Sequence, residues 1–277
     1  MTPFRLMPFS ACLLAAVCVA APALANDVST SAAPSSPPAF TITGSAGVWS
    51  QYRFRGISQS DNKPAFQGSI TVAHSSGFYL STWGSSASSN DAVNIGGSEI
   101  DVYAGYTHAL GKTGVTFDGG LYGYIYPGSS RATGLSENYY EVYGSLAKPF
   151  GPVTAKAGIN WAPKQSYFDN WNTTTKYNMY VFGELGLAVP GTSFSIHSHL
   201  GHTGGGFDYL GHDYLDYTVG VSYKWKALTF DVSLVGTNLS KSDSRVLIDD
   251  GTGNLVNNAD FRRAAKSAAV GSVSASF

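Results

Sequence analysis

The chain has 277 residues, 17 basic and 18 acidic side chains for a net charge of −1, and only 13% charged residues. So neutral a balance speaks against nucleic acid as a partner. The 32 glycines, 17 tyrosines and 15 phenylalanines suit a protein of many strands.

At the N-terminus Arg5 precedes an apolar run from Leu6 to Ala21, and Ala23-Leu24-Ala25 then precedes Asn26. That order predicts a secretory signal over residues 1–25, and the run is too short and wrongly flanked to be a membrane-spanning helix. Both cysteines, Cys12 and Cys18, lie inside it, so the exported chain is expected to have neither thiol nor disulfide. Residues 26–40, rich in Ser, Ala and Pro, cannot bury a face and read as a disordered leader.

From Thr41 to Phe277 the residues alternate with period two, which is the period of strands. In the first run Ile42, Gly44, Ala46, Val48, Tyr52 and Phe54 share one face, while Thr43, Gln51, Arg53 and Arg55 share the other. Reading on predicts about twelve strands near 41–56, 65–74, 77–87, 98–109, 114–127, 139–148, 153–162, 176–189, 193–203, 214–224, 227–238 and 266–277. Most have the 9–11 residues a tilted strand needs to cross a bilayer. Short connections alternate with long ones at 57–64, 88–97, 128–138, 163–175, 204–213 and 239–265. The expected fold is therefore all-β, a single antiparallel transmembrane β-barrel over 41–277 with short periplasmic turns and longer extracellular loops.

A soluble sandwich or lipocalin-like barrel also alternates, but its outer face would be densely charged. Here charges are sparse within strands, as expected when lipid covers the outside and polar groups line the inside. Tyr52, Phe54, Phe78, Trp161, Tyr177 and Tyr217 are placed as interface girdles. Phe277, on the same face as Val273 and Ala275, suits the terminal aromatic that barrel assembly machinery reads.

The segment from Ser50 to Ala65, with Tyr52-Arg53-Phe54-Arg55-Gly56 and Asp61-Asn62-Lys63-Pro64, followed by His74-Ser75-Ser76-Gly77-Phe78-Tyr79, resembles the TorF porin family. So do Glu99 to Tyr106 and Tyr139 to Gly151. The resemblance covers the chain apart from its leader, with the 239–265 loop matching least well. It implies an outer-membrane location and a porin role, and brings neither a substrate nor catalytic residues.

The face assignment sends Arg53, Arg55, Glu99, Asp101, Asp118, Glu141, Lys156, Glu184, His197, His199, Asp216, Asp231 and Lys266 to the lumen as candidate pore-lining residues. Keeping apolar positions together sets Glu184 opposite His199 and places Lys156 diagonal to Glu141. Arg53, Arg55 and Lys266 would form a basic wall, facing an acidic one of Glu99, Asp101, Asp118 and Glu141. His197-x-His199 is half a metal site at most, and no metal or other cofactor is expected. Arg53 and Arg55 alternate with Tyr52 and Phe54, so stacking and phosphate contact would not share a face. The reading is a non-enzymatic outer-membrane channel for passive diffusion of small hydrophilic solutes, its partners being outer-membrane lipid, the assembly machinery and those solutes. A closed structural or adhesive barrel, or a barrel-embedded hydrolase, are the alternatives. Oligomeric state stays open.

Overall fold

Strands whose faces differ in polarity, joined by turns too short for anything but antiparallel neighbours, leave one arrangement that hides every backbone edge. The computed structural model describes residues 38–277 except Trp171 and Asp250, so the predicted signal and most of the leader lie outside the described residues. In chain order the strands are β1 (Phe40–Trp49), β2 (Arg53–Phe54), β3 (Ile57–Ser58), β4 (Ala65–His74), β5 (Phe78–Ser86), β6 (Ser98–Ala109), β7 (Thr116–Ile125) and β8 (Tyr139–Phe150). They continue as β9 (Val153–Ala162), β10 (Asn178–Ala188), β11 (Phe194–Gly205), β12 (Tyr214–Trp225), β13 (Leu228–Thr237), β14 (Val246–Asp249), β15 (Leu255–Asn258) and β16 (Ala268–Ser276). Short helices α1 (Ser129–Thr133), α2 (Ser166–Asn170) and α3 (Ala259–Ala265) sit in long loops.

Twelve of these strands close into one antiparallel barrel, in the order β1-β16-β13-β12-β11-β10-β9-β8-β7-β6-β5-β4 and back to β1. The sheet thus has no free edge, the condition for backbone to cross hydrocarbon. Alternation then sorts the side chains. Ile42, Phe66, Leu80, Val102, Leu121, Leu185, Leu200, Val219 and Val232 point outward and are exposed, an apolar band that a bilayer would cover. Phe78, Trp161 and Tyr177 belong to the same outward face near strand ends. Phe277 lies there too: its backbone exchanges 3.0 Å hydrogen bonds with Gly44, and a side chain at position 44 would collide with its ring.

The first predicted strand needs correction. It leaves the wall after Trp49, and residues 50–64 turn into the barrel, with β2 and β3 forming a two-pair hairpin. Tyr52 and Phe54 are consequently buried at 1% and 3% exposure, not placed at the membrane interface. At the last predicted strand, Lys266 is instead the C-cap of α3, and β16 starts two residues later.

Outward valines and inward threonines should tolerate charge differently. Val102→Arg or Val219→Arg is expected to cost about 2–4 kcal/mol near the bilayer midplane and to reduce assembled barrel, while Thr107→Arg should assemble normally. The amount of protein whose gel mobility changes on heating measures this; equal yields would contradict the face assignment.

Candidate functional site

Two halves of the barrel interior differ in character. On the loop side, all the long loops contribute to one buried cluster: Tyr52, Phe54 and Ile57 from the inward hairpin, Val93 and Ile95, Tyr126, Tyr167 and Phe168, Phe207 and Tyr209, and Phe261 from α3. The loop-side half is therefore packed. On the turn side, Asp118, Lys156, Glu184, His197 and Asp231 project inward and remain partly accessible.

The hairpin tip lies where the halves meet. Phe54 pairs with Ile57 across Arg55-Gly56, and both tip residues have positive φ, 40° and 80°, the geometry of a type I′ turn. A side chain at position 56 would collide with the carbonyl of Gly236, so glycine is what lets the tip press against β13. Arg55 is thereby carried across the lumen. Its Nη2 donates to both carboxylate oxygens of Glu141 at 2.9 Å, and its guanidinium carbon lies 4.0 Å from the ring centre of Tyr180. Glu141 stands on β8, five strands round the barrel from β1 by the shorter way. Arg55 and Glu141 are almost fully shielded, with side chains 2% and 0% exposed.

Further hydrogen bonds hold the acceptor in place. Glu141 Oε2 accepts from Asn160 Nδ2 at 3.0 Å and from the Tyr124 hydroxyl at 3.2 Å. Beside it, Glu99 accepts from Tyr52 at 2.8 Å and Tyr126 at 3.2 Å, and Asp101 accepts from Tyr122 at 3.0 Å. On the other flank the Tyr180 hydroxyl meets His199 Nε2 at 2.6 Å and Asp216 Oδ2 at 3.1 Å. His199 Nδ1 is 3.5 Å from Glu184, whose other oxygen is 3.6 Å from Lys156. A polar chain thus runs from the accessible half to Tyr180, beside the Arg55–Glu141 pair.

Each predicted residue has a defined place. Glu184 faces His199 in the register expected, and Gly186 faces His197. Lys156 faces Ala147 on one side and Glu184 on the other, so its ion pair is with Glu184 and not with Glu141. Asp118 accepts from Tyr79 at 2.7 Å. His197 and His199 engage different partners, His197 lying 3.1 Å from Ser233 and 3.5 Å from Asp231. In that trio Asp231 contacts Ser233 and the same Nε2 edge of the imidazole, whereas a nucleophile relay needs the carboxylate on the far nitrogen. Arg53 donates to Gln51, to the carbonyls of Gly56 and Lys266 and to Asn62, bracing the base of the hairpin. Separate basic and acidic walls do not form, because Arg55 lies against the acidic side and the Lys266 side chain is exposed outside the strands. Tyr180, Tyr124 and Asn160 are not among the predicted residues; the available signal is their inward parity, shared with Glu184 on β10, Asp118 on β7 and Lys156 on β9.

The sequence matches the Gcw_chp family over residues 31–277, a family described as bacterial proteins of unknown function. The chain belongs to the Gcw_chp family. No curated protein matches the sequence. Among solved structures the fold is similar to the NanC porin, with a TM-score of 0.50 at 12% identity, covering 86% of this chain and 99% of that one. OmpF of Salmonella typhi, solved with daunomycin, aligns with a TM-score of 0.39 at 6% identity over 86% of this chain and 97% of its own. The NanC likeness shows a porin-like barrel fold; the family shown is Gcw_chp, and the TorF resemblance rests on the sequence segments alone.

The hairpin base is tied to α3 through Asp61, which accepts from Arg263, Lys63 and Asn90. Partial burial opposes ionisation of Asp61, but the bonds from Lys63 and Asn90 and the Arg263 charge prevail and hold its carboxyl below the usual range. A depressed carboxylate contributes stability above its unfolded pKa, roughly 3.9, and loses it as pH falls through the lower folded value. Hydrogen exchange of amides 59–63, corrected for intrinsic rate, should accelerate below that range while the barrel strands stay protected. An unchanged rate down to the folded value would contradict this tie.

Proposed function

We propose that this protein is an outer-membrane channel for small polar solutes whose passage is held shut in the loop-side half by the 50–64 segment. The carrying observation is the contrast within one lumen: a charged, water-accessible half leads directly to a plug whose innermost tip is held by a cross-lumen ion pair. A barrel with no transport role gains nothing from partly accessible Asp118, Lys156, Glu184 and Asp231 where apolar packing would stabilise it better. The apolar outward band supports the membrane location. Rings of charged side chains at such a lumen would set ion preference, as in other pores.

One observation favours a closed structural barrel instead, namely that every long loop contributes to the buried cluster. Planar-bilayer recordings separate the two. Wild-type protein should open rarely, and a variant with residues 53–58 replaced by a Gly-Ser linker should conduct persistently. Silence from both, with normal heat-dependent gel mobility, would favour the structural reading.

A further inference from the structure

The geometry points to a second role for the seat of Arg55: it is a recognition site for a small solute bearing a guanidinium group, and Arg55 is its built-in occupant. The inference deepens the channel reading and relies on it only for how a solute gains access.

Seat and occupant belong to separate pieces of the molecule. Glu141, Tyr180 and Asn160 are parts of the barrel wall on β8, β10 and β9. Arg55 sits on a hairpin of two residue pairs that ends in a turn of two positive-φ residues. Displacement of the hairpin would leave the residues of the seat in place on the wall. What remains is a carboxylate with both oxygens directed at one cation, hydrogen-bonded from behind by Asn160, and an aromatic ring 4.0 Å from where the cation lay. A flat, weakly hydrated guanidinium satisfies both at once, by donating to the carboxylate and stacking on the ring. A hydrated alkali ion satisfies only the charge.

Physical necessity points the same way. A buried carboxylate that loses its cation is destabilised, so withdrawal of Arg55 leaves Glu141, beside its bonds from Asn160 and Tyr124, to take up either a proton or another cation. Neutral or anionic solutes cannot supply that cation. Asp216, bonded to the Tyr180 hydroxyl, adds a further carboxylate next to the seat. Toward the accessible half, Asp118 and Asp231 are carboxylates with hydroxyl donors; among the described residues neither forms an ion pair with lysine or arginine, and Asp231 has His197 at 3.5 Å. The approach to the seat is thus favourable to cations.

The test uses full-length purified Arg55→Gln, which keeps the side chain's length and removes its charge, with Arg55→Ala as the second variant should one fail to assemble. Thermal unfolding in detergent is followed with guanidinium chloride or arginine amide at millimolar concentration, against sodium chloride at equal ionic strength and against urea as the neutral isostere. Guanidinium should raise the midpoint of the Arg55 variant at a concentration about tenfold lower than sodium requires, urea should not, and the wild type, whose seat is filled, should not respond. Combining the variant with Glu141→Gln should abolish the response. Equal responses to guanidinium and sodium in a correctly assembled Arg55 variant, or an undiminished response without the Glu141 charge, would overturn the assignment. Binding without conductance in bilayers would refute the channel reading alone; conductance without selective binding would refute this inference alone.

Discussion

A guanidinium in the interior of a closed barrel has given up its water, and a carboxylate with a polarisable surface at close range offsets that loss. Arg55 has both, in Glu141 and the ring of Tyr180. Much of the interior follows from this contact. To deliver Arg55 to β8 the chain must leave the wall at Trp49, and once it leaves, Tyr52, Phe54 and Ile57 fill the loop-side lumen and give the other loops a surface to pack on. The cation also balances part of a carboxylate cluster, Glu99, Asp101 and Glu141, that would otherwise be buried with hydroxyl and amide donors as its main support.

Leaving the wall opens a gap that the barrel must close by other means. Below it, β1 and β16 pair from Ser45↔Ser276 to Trp49↔Ser272. Above it, the Ser50 amide donates to the Gly271 carbonyl at 2.8 Å, the Gly271 amide donates to Ser50 Oγ at 3.0 Å, and Gln51 Nε2 reaches the Ala269 carbonyl at 3.4 Å. Side chains here stand in for a backbone ladder. Arg53 extends the substitution to the carbonyl of Lys266 at 2.8 Å, so the two arginines of the hairpin divide the work: one secures the seam, the other spans the lumen.

The strands were legible in the sequence because period-two alternation holds wherever one face meets lipid and the other does not. The β10–β11 register, with Glu184 opposite His199, followed from a short turn and matched apolar positions. The inward hairpin was not legible, for a physical reason. Tyr52 and Phe54 continue the apolar parity of Ile42 and Val48, and an apolar side chain fits a lipid face and a packed plug equally well, so alternation cannot tell the two apart. The partner of Lys156 was not legible either, because Glu184 lies on β10, on the side of β9 away from the β8–β9 turn. The place of Lys266 at a helix end was hidden because the helix before it is too short to break the alternation. Which charges meet across a lumen depends on strands far apart in sequence, and only closure of the sheet brings them together.

The most direct test of the central claim, that the Arg55–Glu141 pair holds the lumen shut, is a charge exchange read as open probability in planar bilayers. Arg55→Glu alone places two carboxylates against each other and should raise open probability well above wild type, whereas adding Glu141→Arg restores opposite charges in reversed order and should return it toward the closed level. Equal open probability in the single and double variants, with both correctly assembled, would contradict the account.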